Sequence, residues 1–254
     1  MDLSHLLYSA YERRLVGDLS PERLPRHVGV MLDGNRRWAK AKGAGTAEGH
    51  RAGADNIEPF LTWCEDLGIE VATLWLLSTD NLNRSADELA PLLAIIEDVV
   101  DQLALRGRWR LNIVGAVDLL PARTAGRLTA AAATTRSVEA RLVVNIAVGY
   151  GGRQEIADAV RGMLLEAAAA GRTLEEVAAS VRIEDIAAHL YTRGQPDPDL
   201  VIRTSGEQRI GGFLLWQSTH SEFYFCEAYW PDFRRVDFLR ALRVYADRER
   251  RFGA

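Results

Sequence analysis

Between Asp33 and Lys42 the chain places one carboxylate, one glycine and four cations: Asp33, Gly34, Asn35, Arg36, Arg37, Trp38, then Lys40 and Lys42. These are the side chains of an anion site. Gly34 lets the backbone turn tightly, so that the next peptide N–H groups face an anion at a helix start, where the helix dipole favours negative charge. Asp33 is the exception among the cations. A carboxylate beside bound phosphate is repelled unless a divalent cation bridges the two, which points to magnesium (Mg2+). The plainer alternative is that Asp33 and Asn35 cap a helix and form an Asx turn. Capping accounts for Asp33 but not for the clustered arginines.

A second set of such residues lies in DLVIRTSGEQRIGGFLLWQSTHSEFYF, residues 199–225. Arg203 and Arg209 flank a glycine-bearing turn, with Gly211 just beyond, which suits a second diphosphate held by forked guanidinium contacts. Salt bridges from these arginines to Glu207 or Glu222 are the competing reading. Glu222, before the aromatic FYF run, is a further candidate for a metal or arginine partner. A third cluster, Ser78, Asp80, Asn81 and Arg84, follows the apolar run VATLWLLS.

The elements that must position these clusters alternate between strand and helix. Val28 to Leu32 form a short apolar run of the kind found in a parallel strand covered on both faces, so Asp33 falls at a carboxyl end, where open α/β sheets bind ligands. Strands are expected at 71–78, 111–115, 142–149 and 200–202. Helices are expected at 3–15, 49–67, 86–105, 118–136, 154–170, 173–180 and 183–190. AKGAGTAEGHRAG, rich in small residues, reads as a mobile loop. The pattern is α/β with a mostly parallel sheet. Leu89, Leu92, Leu93, Ile96 and Val100 form a stripe on the 86–105 helix that suits a core or the wall of an apolar cavity.

Composition sets the outer limits. A chain of 254 residues with 48% hydrophobic and 26% charged residues is ordinary for one globular domain. A net charge of −4 argues against general nucleic-acid binding, so the basic cluster is local. Cys64 and Cys226 lack metal or redox spacing and read as buried thiols. The start of the chain has no uninterrupted apolar leader, and a cytoplasmic protein is expected. The apolar face of the 3–15 helix suits either the protein's own body or peripheral contact with a membrane. Its shortness and weakly basic polar side favour the body.

Two anion sites, one acidic metal candidate and nearby apolar helices describe a substrate with a diphosphate head and a greasy tail. At this level the chain resembles the cis-prenyltransferases, the undecaprenyl diphosphate synthase family. HVGVMLDGNRRWA, LLSTDNLNR, NIAVGYGGR, the 199–225 segment and WPDF carry the resemblance over about residues 25–253. It implies a six-stranded mostly parallel sheet surrounded by helices, in a catalytic domain at 25–254 behind a lead-in at 1–24, with a hydrophobic tunnel, and a homodimer. It also implies condensation of isopentenyl diphosphate with an allylic diphosphate. By that pattern Asp33 holds magnesium, and Gly34, Asn35, Arg36 and Arg37 cradle the allylic diphosphate, with Trp38 and His50 beside them. Arg203 and Arg209 bind isopentenyl diphosphate, with Gly211 next to them and Glu222 near the metal. Ser78 and Asn81 lie where a proton leaves, supported by Arg84. Arg251 and Gly253 fit an RxG ending that reaches the partner subunit's site.

The chain departs from the common pattern at Thr46, Gly211 and Leu82. Leu76 and Leu77 replace a small residue followed by phenylalanine, and LLSTDNL resembles the actinobacterial short-chain enzymes that make Z,E-farnesyl diphosphate. A short product from geranyl diphosphate is therefore expected, with Leu76 narrowing the tunnel. Alternatives are a long-chain synthase, irregular condensation of two allylic units, a non-catalytic partner subunit, and a phosphatase with Asp33 as nucleophile.

Overall fold

The computed structural model describes residues 3–252, with side chains over residues 10–248. In chain order the elements are α1 (Leu3–Gly17), β1 (His27–Met31), α2 (Asn35–Ala41), α3 (Thr46–Asp55), α4 (Ile57–Asp66), β2 (Val71–Ser78), α5 (Ala86–Arg106) and β3 (Arg110–Val114). They continue with α6 (Ala122–Thr134), β4 (Val143–Tyr150), α7 (Gly152–Ala169), α8 (Leu174–Ser180), α9 (Ile183–Ala187), β5 (Leu200–Arg203), β6 (Glu222–Phe225) and α10 (Arg235–Phe252).

The six strands form one sheet in the order β3-β4-β2-β1-β5-β6, and every pairing is parallel. From β1 the chain steps to β2 on one side, and it later crosses to β5 on the other. The carboxyl ends of β1 and β5 therefore flank the point where the winding reverses, where such sheets leave a crevice.

Both faces of the sheet are covered, as the apolar strands require. Val28, Val30, Ala72, Leu74, Val144, Ile146, Leu200 and Ile202 enter the larger core with residues of α4, α5, α6 and α10. Met31, Ala147 and Val201 alternate to the other face and pack with Tyr150, Phe213 and Leu214. Gly29 belongs to that second face; a Cβ there would stand 3.0 Å from the Phe213 ring.

Three expectations about elements need correction. The helix expected over 49–67 is two helices, because Asn56 breaks it and uses its side-chain amide to donate to the carbonyls of Trp230 (2.8 Å) and Phe233 (2.9 Å). The stretch read as a mobile loop is mostly helical, since α3 already starts at Thr46. The helix expected at 118 starts at Ala122, after Pro121. At the amino end, Leu15 of α1 is buried against Val236 and Leu239 of α10, so this part of the helix packs on the protein's own body. Among the described residues no helix is long and apolar enough to cross a membrane.

Candidate active site

The turn after β1 is fixed from both sides. The Asp33 N–H donates to Thr204 Oγ1 (2.9 Å), the Thr204 hydroxyl lies 2.8 Å from the Asp33 carbonyl, and the Trp230 N–H donates to that carbonyl (3.0 Å). Gly34 then takes φ 106°, and a Cβ there would meet the Tyr229 ring at 2.7 Å and Ser205 Cβ at 3.0 Å. Both the dihedral and the space require glycine. No side chain caps the start of α2, so the capping alternative for Asp33 and Asn35 fails. The Asp33 carboxylate turns instead to Arg203, whose Nη2 and Nε lie 2.6 and 2.8 Å from Oδ2.

Helix α3 backs this turn closely. A Cβ on Gly49 would stand 2.3 Å from the Asn35 carbonyl oxygen, and one on Gly53 would stand 2.5 Å from Asn35 Oδ1. Two glycines one helical turn apart thus let α3 lie against the first turn of α2 and bring His50 to the site. The His50 Nε2 is buried without a partner. Burial, reinforced by the Arg84 charge, holds its pKa down to about 4, so the ring is neutral at pH 7.

The other cations are held by carboxylates at the rim. Arg37 donates to Ser205 Oγ (2.7 Å) and pairs with Glu207 (3.0 Å), which also pairs with Arg209. The Arg203 guanidinium also donates to the Arg209 carbonyl. Across the opening, Glu88 lies 3.3 Å from Arg36 and 3.1 Å from Arg84. The salt-bridge reading of the sequence therefore holds for Arg209 with Glu207, whereas Arg203 turns inward.

One cavity of about 420 Å³ joins these groups to an apolar interior. Its polar end holds Asp33, Gly34, Asn35, Arg36, Arg37, His50, Ser78, Asn81, Arg84, Arg203, Arg209 and Gly211. Its apolar end is walled by Ile57, Leu76, Leu77, Leu92, Ile95, Ile96 and Val99. Strict strand alternation would send Leu76 and Leu77 to opposite faces of the sheet. A register irregularity between Trp75 and Ser78 instead brings both against the larger core and the cavity. Beyond them the Asn81 N–H donates to Ser78 Oγ (3.1 Å), which sets the hydroxyl at the junction of the two ends.

Other residues named from the sequence lie elsewhere. Trp38 does not line the cavity; its ring lies under Lys42 Nζ at 5.9 Å. Glu222 begins β6, at the sheet edge opposite to the Asp33 end, and pairs with Arg248. Within one chain it is remote from Asp33, because parallel strands put first and last residues at opposite ends. Among the described residues no group of three or more acidic, histidine or cysteine side chains could hold a metal by itself. The Arg251 side chain and Gly253 lie outside the described residues.

Sequence reasoning missed Thr204, Glu88 and Trp75, and had Glu207 only as a salt-bridge partner. Trp75 lines the cavity and stacks on Phe213 with centroids 5.1 Å apart and planes at 8°. A Cβ on Gly211 would stand 3.4 Å from that indole, so the small residue there makes room for the large one. Alternation in β2 puts position 75 on the face away from Leu74, so nothing in the sequence signals that this indole reaches the cavity.

Comparison with known proteins agrees with this geometry. The prenyltransferase family model, described as undecaprenyl diphosphate synthase, matches residues 31–253. Isoprenyl transferase 1 of Streptomyces avermitilis is 58% identical over 99% of this chain and 98% of its own. The (2Z,6E)-farnesyl diphosphate synthase of Thermobifida fusca is 65% identical over 97% of each chain. Among solved structures, lavandulyl diphosphate synthase from Lavandula x intermedia, in complex with dimethylallyl diphosphate, superposes with a TM-score of 0.81 at 33% identity, covering 89% of this chain and 96% of that one. A cavity with a cationic, carboxylate-bearing mouth and an apolar interior, on this sheet and with these relatives, makes the chain a member of the undecaprenyl diphosphate synthase family of cis-prenyltransferases.

Proposed function

We propose that the protein condenses isopentenyl diphosphate with geranyl diphosphate to give Z,E-farnesyl diphosphate, with magnesium as its cofactor. The observation that carries this reading is the single cavity in which the Asp33–Arg37 turn opens directly onto Leu76, Leu77 and the α5 wall. At about 420 Å³ it lies in the lower part of the range of small-ligand clefts, which suits a short tail. The names of the relatives that make (2Z,6E)-farnesyl diphosphate support the same product.

The residues present fit a magnesium ion that is shared with substrate. Magnesium is commonly held by one or two carboxylates plus phosphate oxygens, and Asp33 is a cavity-lining carboxylate beside the cationic turn. Bound there, it would neutralise charge that develops on the leaving diphosphate. The backbone N–H groups after Gly34, with Arg36 and Arg37, hold the allylic diphosphate and stabilise it as the carbon–oxygen bond breaks. Arg203 and Arg209 hold the isopentenyl diphosphate. The apolar end takes the allylic tail and keeps water from the allylic cation. Ser78 and Asn81 stand where the isopentenyl unit loses its proton, and Arg84 supports their turn. Homodimerisation, with the Arg251 and Gly253 ending reaching the partner, belongs to the same proposal.

The test is incubation of the purified protein with magnesium, isopentenyl diphosphate and, separately, dimethylallyl, geranyl and farnesyl diphosphates, followed by mass analysis. Geranyl diphosphate should be extended by one unit and farnesyl diphosphate left largely unused. Extension by many units would contradict the short-tail reading. Absence of condensation with every acceptor would favour a non-catalytic subunit.

A further inference from the structure

The wall of the tail cavity is one side of α5, and its other side carries a charge cluster. Ile95, Ile96 and Val99 face the cavity. Glu97, Asp98 and Asp101 repeat the same i, i+1, i+4 spacing two residues later, which at about 100° per residue places them about 200° around the helix. The two triplets are thus back to back. The acids all meet one side chain, Arg127 of α6: Nη1 lies 2.7 Å from Glu97, Nη2 lies 3.2 Å from Asp98, and Nη2 lies 2.7 Å from Asp101. Thr124 of α6 donates to the other Glu97 oxygen (2.6 Å), and Arg51 of α3 pairs with Asp98 (3.3 Å).

We infer that Arg127 is a specificity-determining positioning residue, which sets the length of the tail cavity by fixing the rotation and depth of α5 from behind. The inference rests on the proposed synthesis of farnesyl diphosphate and adds the device that keeps the product short. Three points in the geometry support it. One guanidinium joined to three carboxylates on a single helix face restrains rotation as well as separation, since turning α5 would break at least one fork contact. The Glu97 side chain is only 7% exposed, so its charge is fixed to its partners and not to water. Finally, the α5 side chains opposite this clamp are the ones that bound the tail, so a small shift of the helix changes cavity depth directly. A growing chain that presses on Ile95, Ile96 and Val99 meets a wall pinned to α6.

The experiment compares product mass from geranyl diphosphate, isopentenyl diphosphate and magnesium for the wild type, Arg127→Lys, the charge-balanced double variant Glu97→Gln/Arg127→Gln, and Leu15→Ala. The double variant leaves no unpaired buried charge, and Leu15→Ala supplies general destabilisation in the separate α1–α10 contact. Both clamp variants should raise the ratio of longer products to farnesyl diphosphate about tenfold, the low end of what one methylene of room is worth in an apolar pocket. Leu15→Ala should leave that ratio unchanged. Amide exchange over residues 93–103 should be faster in the double variant than in the wild type. Folded clamp variants with the wild-type product ratio would overturn the inference, as would an equal shift in Leu15→Ala. Failure of the wild type to condense at all would instead overturn the functional reading beneath it.

Discussion

Arg203 Nη2 lies 2.6 Å from Asp33 Oδ2, so the carboxylate proposed for one diphosphate and the guanidinium proposed for the other are each other's partners. Arg203 is buried, with its side chain 7% exposed, whereas the Asp33 side chain is 39% exposed on the cavity side. The pair keeps Arg203 from being an unpaired buried charge and leaves one edge of Asp33 open to the cavity. Binding of magnesium and diphosphates would exchange this contact for phosphate and metal contacts.

Asp33→Ala should therefore act on two quantities by different amounts. Loss of charge stabilisation at the leaving group is expected to lower kcat/KM by roughly three orders of magnitude, about 4 kcal/mol. Loss of the partner of the buried Arg203 guanidinium should cost roughly 3 kcal/mol of stability. Steady-state kinetics and urea unfolding of the same variant check both, and wild-type turnover would exclude a role for Asp33 in the chemistry.

Gly34→Ala meets two obstacles at once, the φ of 106° and the Tyr229 ring 2.7 Å from the new Cβ. A loss of about 1–3 kcal/mol is expected from the dihedral alone. Removing the ring in Gly34→Ala/Tyr229→Ala should not restore activity, because the backbone strain persists. Recovery in the double variant would show that space, not conformation, was the constraint.

Leu76→Ala should deepen the cavity, since Leu76 shares the core face of Ala72 and Leu74 and lines the apolar wall beside Leu77. Products longer than farnesyl diphosphate are expected in the mass spectrum, with the farnesyl product reduced. An unchanged distribution would remove Leu76 as a determinant of length.

Stability should fall in mild acid through His27. Its Nδ1 lies 2.8 Å from the Pro196 carbonyl and its Nε2 lies 2.8 Å from Thr73 Oγ1, and burial holds its pKa down to about 4. Below pH about 6.5 the unfolded chain takes a proton that the native ring refuses, so stability declines from there to about pH 4 and is flat above. The full loss is on the order of 3 kcal/mol for His27. His50 titrates in the same window, so His27→Gln should reduce the slope rather than abolish it. Urea midpoints at pH 7 and pH 5 measure this; identical pH dependence in the variant would contradict it.

Much of this was legible in the sequence, for reasons particular to each residue. The apolar run before Asp33 read correctly as a buried parallel strand because both faces are covered, and Gly34 marked the turn because no other residue fits its dihedral. Arg203 and Asn81 were visible at strand ends for the same topological reason. Glu88 was not, since an acid that aims arginines looks like any surface acid until the fold brings it beside them, whereas Glu207, close in sequence to Arg203 and Arg209, was read as a salt-bridge partner. The break at Asn56 had a local signal in Pro59, which is tolerated only in a first helical turn, but its cause, two distant carbonyls, lies outside the local sequence. Leu77 reaches the cavity only through a register irregularity, which alternation cannot foresee. Glu222 was placed near Asp33 by resemblance, and only the strand direction shows that one chain keeps them apart.

The most direct test of the account is the length and double-bond geometry of the product formed from geranyl diphosphate and carbon-labelled isopentenyl diphosphate with magnesium, read by mass and NMR. One added unit and a new double bond of Z geometry are expected. A run of longer products, a new E double bond, or a branched product from two allylic units would contradict it.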